Sequence, residues 1–167
     1  MIAIACDHAG YELKPYVIGV LGELGLEYKD FGTDSSAAVD YPIYGARAAR
    51  AVASGECDRG IVICGTGIGI SLTCNKVPGI RCAVCNDLFS AQLSREHNDA
   101  NMMAMGARII GSGLCKKIVK LWLQTPFDGE RHAGRVAMIG KGEKGEPPEE
   151  YEQASTGKPG VDPLRRH

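Results

Sequence analysis

A thiol stands where an apolar run gives way to glycine in Ile61-Val62-Ile63-Cys64-Gly65-Thr66-Gly67-Ile68-Gly69. Glycines at alternate positions of a strand-to-helix turn leave backbone N–H groups uncovered, which makes a nest for an oxyanion or a phosphate. A thiolate is favoured at the same place by the helix dipole and nearby donors, so Cys64 is a candidate base or nucleophile. The competing reading is a small buried hydrophobe that closes a strand. In Cys6-Asp7-His8-Ala9-Gly10 a carboxylate precedes an imidazole, which suits acid–base chemistry or, for Asp7, capping of a helix near Tyr11. His97 lies in the polar run Arg95-Glu96-His97-Asn98-Asp99, as a loop donor or a surface histidine. Arg131 and Arg135 would share one helical face and could clamp a phosphate, or be solvated surface residues, with Arg108 as a third guanidinium. Tyr41-Pro42 opens a helix, where the tyrosine could line a cleft. His132 and His167 are expected to face solvent.

These groups need a frame that gathers strand ends. Ile2–Cys6, Glu27–Phe31, Gly60–Cys64, Arg81–Cys85 and Met102–Ala104 read as strands. Amphipathic stretches at Tyr11–Leu24, Ile43–Ala53, Leu88–Glu96, Ser112–Leu123 and about Gly129–Ile139 read as helices between and after them. Gly25 and Gly55 stop the first two. Such β–α alternation predicts a parallel sheet covered by helices on both faces, with ligands at the carboxyl ends of the strands near a topological switch point. After about residue 142 the chain becomes rich in Gly, Pro and charge. This divides it into a domain over 1–142 and a weakly ordered polar tail over 143–167.

The 167 residues suit one compact domain. With 19 Lys+Arg against 20 Asp+Glu, no basic field argues for nucleic acid or a membrane surface, so any anion site is local. No apolar run reaches the roughly 20 residues of a bilayer helix. Seven cysteines, an odd number, with Met1 leading directly into a strand-like run, point to a reducing cytoplasm. Cys82-Ala-Val-Cys85 has CxxC spacing but lies in an apolar run, and no second pair completes a zinc site, so a structural role and no metal are expected. The glycine run followed by Asp87 imitates a dinucleotide fingerprint, but the spacing is one residue short and the first βαβ unit is its proper place. A non-catalytic nucleotide- or phosphate-binding module would not need a thiol, an imidazole and a carboxylate together.

The motifs ACDHAG, DYPIYG, CGTGIGIS, NKVPGIRCA, REHNDANMMAMGARIIG and GERHAGRV, in order over about residues 1–140, resemble those of the type B ribose-5-phosphate isomerases and the related galactose-6-phosphate isomerase subunits. The resemblance implies a three-layer α/β/α Rossmann-like sandwich with a five-stranded parallel sheet. It implies a homodimer or tetramer with sites at the subunit interface. The implied activity interconverts ribose 5-phosphate and ribulose 5-phosphate, in the pentose phosphate pathway, with no metal, nucleotide or other cofactor.

Under this resemblance Cys64 is the general base, and the loop of Gly65, Gly67, Ile68 and Gly69 donates N–H groups to an enediolate. The nest then serves the sugar oxygens, and phosphate passes to Arg108, Arg131 and Arg135. Asp7 and Thr66 would handle the hydroxyl proton or orient the sugar, His97 with Asn98 would open the furanose ring, and His8 would lie near the phosphate. A second branch of the family carries a glutamate where this chain has Ile70, which favours the thiol. The His97–Asn101 segment favours a pentose phosphate over allose 6-phosphate or galactose 6-phosphate.

Overall fold

The computed structural model describes residues 1–150. Most of the expected tail over 143–167, His167 included, lies outside the described residues. The chain divides into two units, one over Met1–Asp128 and a second beginning at Gly129.

The first unit holds a five-stranded, all-parallel sheet of β1 (Ile2–Cys6), β2 (Tyr28–Asp30), β3 (Arg59–Cys64), β4 (Cys82–Val84) and β5 (Met102–Gly106), in the order β2-β1-β3-β5-β4. β1 is buried at every residue and β3 at all but its first. That is why these segments read as continuous apolar runs and not as alternating ones. One face carries a core of Val17, Val20 and Leu21 from α1 (Lys14–Glu23), Ala91 from α4 (Leu88–Glu96), and Cys115, Ile118 and Trp122 from α5 (Ser112–Gln124). The other face is packed by Ala48, Ala49 and Val52 of α2 (Tyr41–Ala53) and Ile70 and Cys74 of α3 (Ile68–Cys74). The expected α/β/α sandwich is therefore present. Gly45 lets α2 and α3 approach closely, since a Cβ there would come within 2.8 Å of Ile70 Cγ1.

The chain steps from β1 outward to β2 and then back across to β3, so the switch point lies between the carboxyl ends of β1 and β3. Cys6 is in register with Ile63, and Cys64 with Gly106. Asp7 N–H continues the ladder to Ile63 O at 3.2 Å.

The second unit carries α6 (Glu130–Glu143), four residues longer at its end than expected and including both Arg131 and Arg135. His132, expected at the surface, is buried. Its Nε2 accepts Arg131 Nε at 3.2 Å, so the polar edge of the ring is satisfied while its apolar body is covered. Among the described residues no helix is long and apolar enough to cross a membrane.

Candidate active site

β3 delivers Cys64 to the carboxyl edge of the sheet, where its side chain is buried. Its Sγ accepts the N–H of Gly67 at 3.2 Å. Gly67 has φ +81°, and a Cβ there would also lie 2.9 Å from the Met105 backbone carbon, so the turn needs glycine for both conformation and space. Ile68 N–H is held by Thr66 Oγ1 at 3.3 Å. The expected uncovered nest is thus partly committed: one N–H serves the sulfur and the next serves a hydroxyl.

Cysteine alone does not distinguish Cys64, because all seven are buried free thiols. Burial pushes the Cys6, Cys85 and Cys115 thiols up to about 11 and also raises Cys57. Cys82 is raised by a hydrogen bond with Cys74 and by burial, in keeping with the structural role expected of the CxxC pair. What sets Cys64 apart is a backbone donor on its sulfur at the switch point.

Asp7 reaches the same edge from β1 and is buried. Its Oδ1 accepts Ala9 N–H and Gly10 N–H, both at 3.0 Å. This closes the turn directly after β1; the expected cap of a helix at Tyr11 is not formed, because α1 begins only at Lys14 with Leu13 as its N-cap. A Cβ on Gly10 would lie 2.6 Å from Ile63 O, so the turn presses against β3. His8 Nδ1 faces the backbone of Val39, 3.2 Å from both its nitrogen and its carbonyl oxygen. The ring nitrogen accepts from the Val39 N–H in one tautomer and donates to that carbonyl in the other.

Tyr41, first residue of α2, lies over the glycine loop: a Cβ on Gly69 would come within 2.7 Å of Tyr41 Cζ. Arg108 folds back onto it too, with Nη1 3.5 Å from where a Gly65 Cβ would stand and its own N–H bonded to Gly65 O at 3.0 Å. Asp7, Cys64, Gly65, Thr66, Gly67, Ile68, Gly69, Tyr41 and Arg108 therefore gather at one edge.

His97 and Asn98 do not join them. α4 runs back across the sheet, and His97 is its C-cap, just before β5 starts at Met102. Asn98 O accepts Arg81 Nε at 3.1 Å in that opposite loop. Arg131 and Arg135 belong to the second unit, exposed and four residues apart on α6.

Asp87 is the N-cap of α4, its Oδ1 accepting Ser90 N–H at 2.7 Å, which removes it from any dinucleotide reading. Asn86 is the residue that the sequence did not single out. Its Oδ1 accepts Gly106 N–H at 2.8 Å and its Nδ2 donates to Thr66 O at 3.2 Å. Its place just beyond the carboxyl end of β4 was the available signal.

Comparison with known proteins identifies the family. The model of the Ribose/Galactose Isomerase family matches residues 2–139. Ribose-5-phosphate isomerase B of Escherichia coli is 51% identical over 138 residues, covering 83% of this chain and 93% of that protein. Galactose-6-phosphate isomerase subunit LacB of Clostridium acetobutylicum is 41% identical over 127 residues, 76% of this chain and 73% of the relative. The structure of Clostridium thermocellum ribose-5-phosphate isomerase B matches with a TM-score of 0.85 and 54% identity, over 87% of this chain and 99% of that one. With the fold and these matches in agreement, the chain belongs to the ribose/galactose isomerase family and is a sugar-phosphate isomerase.

Proposed function

We propose that the chain interconverts ribose 5-phosphate and ribulose 5-phosphate with Cys64 as general base. The observation that carries this is the Cys64 sulfur at the β1/β3 switch point with the Gly67 N–H on it. In the open-chain aldose, the thiolate removes the proton from C2 and the electron pair forms an enediolate. The proton then returns to C1, while a hydroxyl proton moves between O2 and O1. The loop N–H groups between Gly65 and Gly69 that are not given to Cys64 Sγ or Thr66 Oγ1 stabilise the developing oxyanion, which is worth most in a site shielded from water. Asp7 and Thr66 stand at the same edge to orient the sugar hydroxyls. Arg108, His8, Arg131 and Arg135 are the phosphate's ligands, some of them supplied by a second copy of the chain, and Tyr41 walls the cleft. The chemistry calls on no metal or nucleotide.

Ring opening by His97 and Asn98 then requires a second copy, since these residues occupy the opposite edge of their own sheet. Exposed apolar side chains near the loop, Ile43 on α2 and Ile68 and Leu72 on α3, support a homodimer. The tail after about residue 142 forms a separate segment beyond the isomerase domain. The enzyme belongs on this reading to cytoplasmic pentose phosphate metabolism. The similarity to a galactose-6-phosphate isomerase subunit favours, as a second reading, a six-carbon substrate. A coupled assay of ribose 5-phosphate, allose 6-phosphate and galactose 6-phosphate separates the two: the highest kcat/KM is expected on ribose 5-phosphate, and preference for either hexose phosphate overturns the assignment.

A further inference from the structure

We propose that Asn86 is a positioning residue, holding the Thr66–Gly67 peptide in the orientation that aims its N–H at the Cys64 sulfur; this rests on the reading of Cys64 as the base. The carbonyl that Asn86 Nδ2 grips at 3.2 Å and the N–H that Cys64 Sγ receives at 3.2 Å are the two ends of one peptide plane. That plane is free to turn in a way most are not. It is flanked on one side by Gly67, whose φ of +81° and missing Cβ leave the backbone permissive. Turned over, the same peptide would present a carbonyl oxygen to the sulfur and repel its negative charge.

Asn86 is itself anchored. Gly106 N–H donates to its Oδ1 at 2.8 Å, which fixes the amide with nitrogen toward Thr66, since the reversed amide would set donor against donor. Gly106 is the register partner of Cys64 on β5. It passes so close to the loop that a Cβ there would lie 2.7 Å from Thr66 O. On the far side Asp87 fixes the chain by capping α4. The donors thus run in one direction, from Gly106 N–H through the Asn86 amide and the 66–67 peptide to the sulfur, and bonds in series polarise one another. A donor held on the sulfur stabilises the charge the base carries before it takes a carbon proton.

The test compares Asn86→Ala with Asn75→Ala. Asn75 makes a similar two-bond clamp, to Cys82 N–H and O at 2.8 Å each, but at the other end of β4. Two readouts are taken: steady-state kinetics, and the pH profile of Cys64 alkylation by iodoacetamide, resolved by peptide mass. For Asn86→Ala the alkylation midpoint is expected to move up by about one pH unit, with kcat down roughly tenfold and KM within about twofold. Asn75→Ala should leave the midpoint in place. Asn86→Ser, with one donor restored, should recover part of both effects and serves alone if the alanine variant does not fold. An Asn86 variant with the wild-type alkylation midpoint overturns the proposal. Because alkylation reads the sulfur without turnover, that failure is distinct from failure of the base assignment, which Cys64→Ala activity reports.

Discussion

Cys64 closes β3 at the carboxyl edge of the sheet, and His97 ends α4 at the amino edge of the same sheet. β5 spans the gap between the two edges, with Met102 beside Gly60 and Gly106 beside Cys64. At about 3.3 Å per residue this separates the edges by roughly 13 Å, too far for one sugar phosphate ring to touch both side chains from the same chain.

Subunit complementation follows from that separation. Cys64→Ala and His97→Ala proteins, each inactive alone on ribose 5-phosphate, should regain part of the activity when mixed and allowed to exchange subunits. The recovered fraction is read by the coupled assay on verified heterodimers. Heterodimers without recovery would place both residues' work within one chain.

Alkaline pH should weaken the fold through three buried thiols. Cys6, Cys85 and Cys115 are pushed by burial up to about 11 from the ordinary 9.0. Below pH 9.0 these thiols are protonated in both states and their stabilising effect is complete; as pH rises toward 11 the unfolded chain releases protons that the folded chain keeps. The urea midpoint should therefore fall across that window. Cys115→Ala should be less stable at neutral pH, from the cavity it leaves, yet show a shallower alkaline decline. An equal slope in the variant would remove Cys115 from the account.

Phosphate selection by Arg135 has a kinetic signature. A charge-assisted contact is worth about 1.5–3 kcal/mol, so Arg135→Ala should lower kcat/KM on ribose 5-phosphate by about ten- to a hundredfold. Slow turnover of unphosphorylated ribose should scarcely change. Equal losses on both sugars would assign the arginine to the fold.

The sequence made some parts of this molecule plain and concealed others. α4 is bounded as expected at Leu88–Glu96, because Asp87 is a capping residue whose chemistry is local. The first helix was expected from Tyr11 but starts at Lys14, since the turn closed by Asp7 uses the intervening residues. β5 runs on to Gly106, where the pairing with Cys64 that extends it is long-range and a glycine carries no apolar signal. The shared sheet edge of Cys64, Asp7, Tyr41 and Arg108 was legible because strand-end placement follows from β–α alternation. Asn86 was not: both its partners are twenty residues away in sequence, and Asn-Asp after a strand reads as turn chemistry.

The central claim is that the Cys64 sulfur moves the carbon-bound proton. The direct measurement is turnover of ribose 5-phosphate by Cys64→Ala, together with exchange of the C2 proton into heavy water and a thermal unfolding curve. The variant should unfold as wild type does while losing at least the roughly 10²–10⁴-fold that a positioned base contributes, in turnover and exchange alike. Near-wild-type turnover or exchange in a folded Cys64→Ala protein would contradict it.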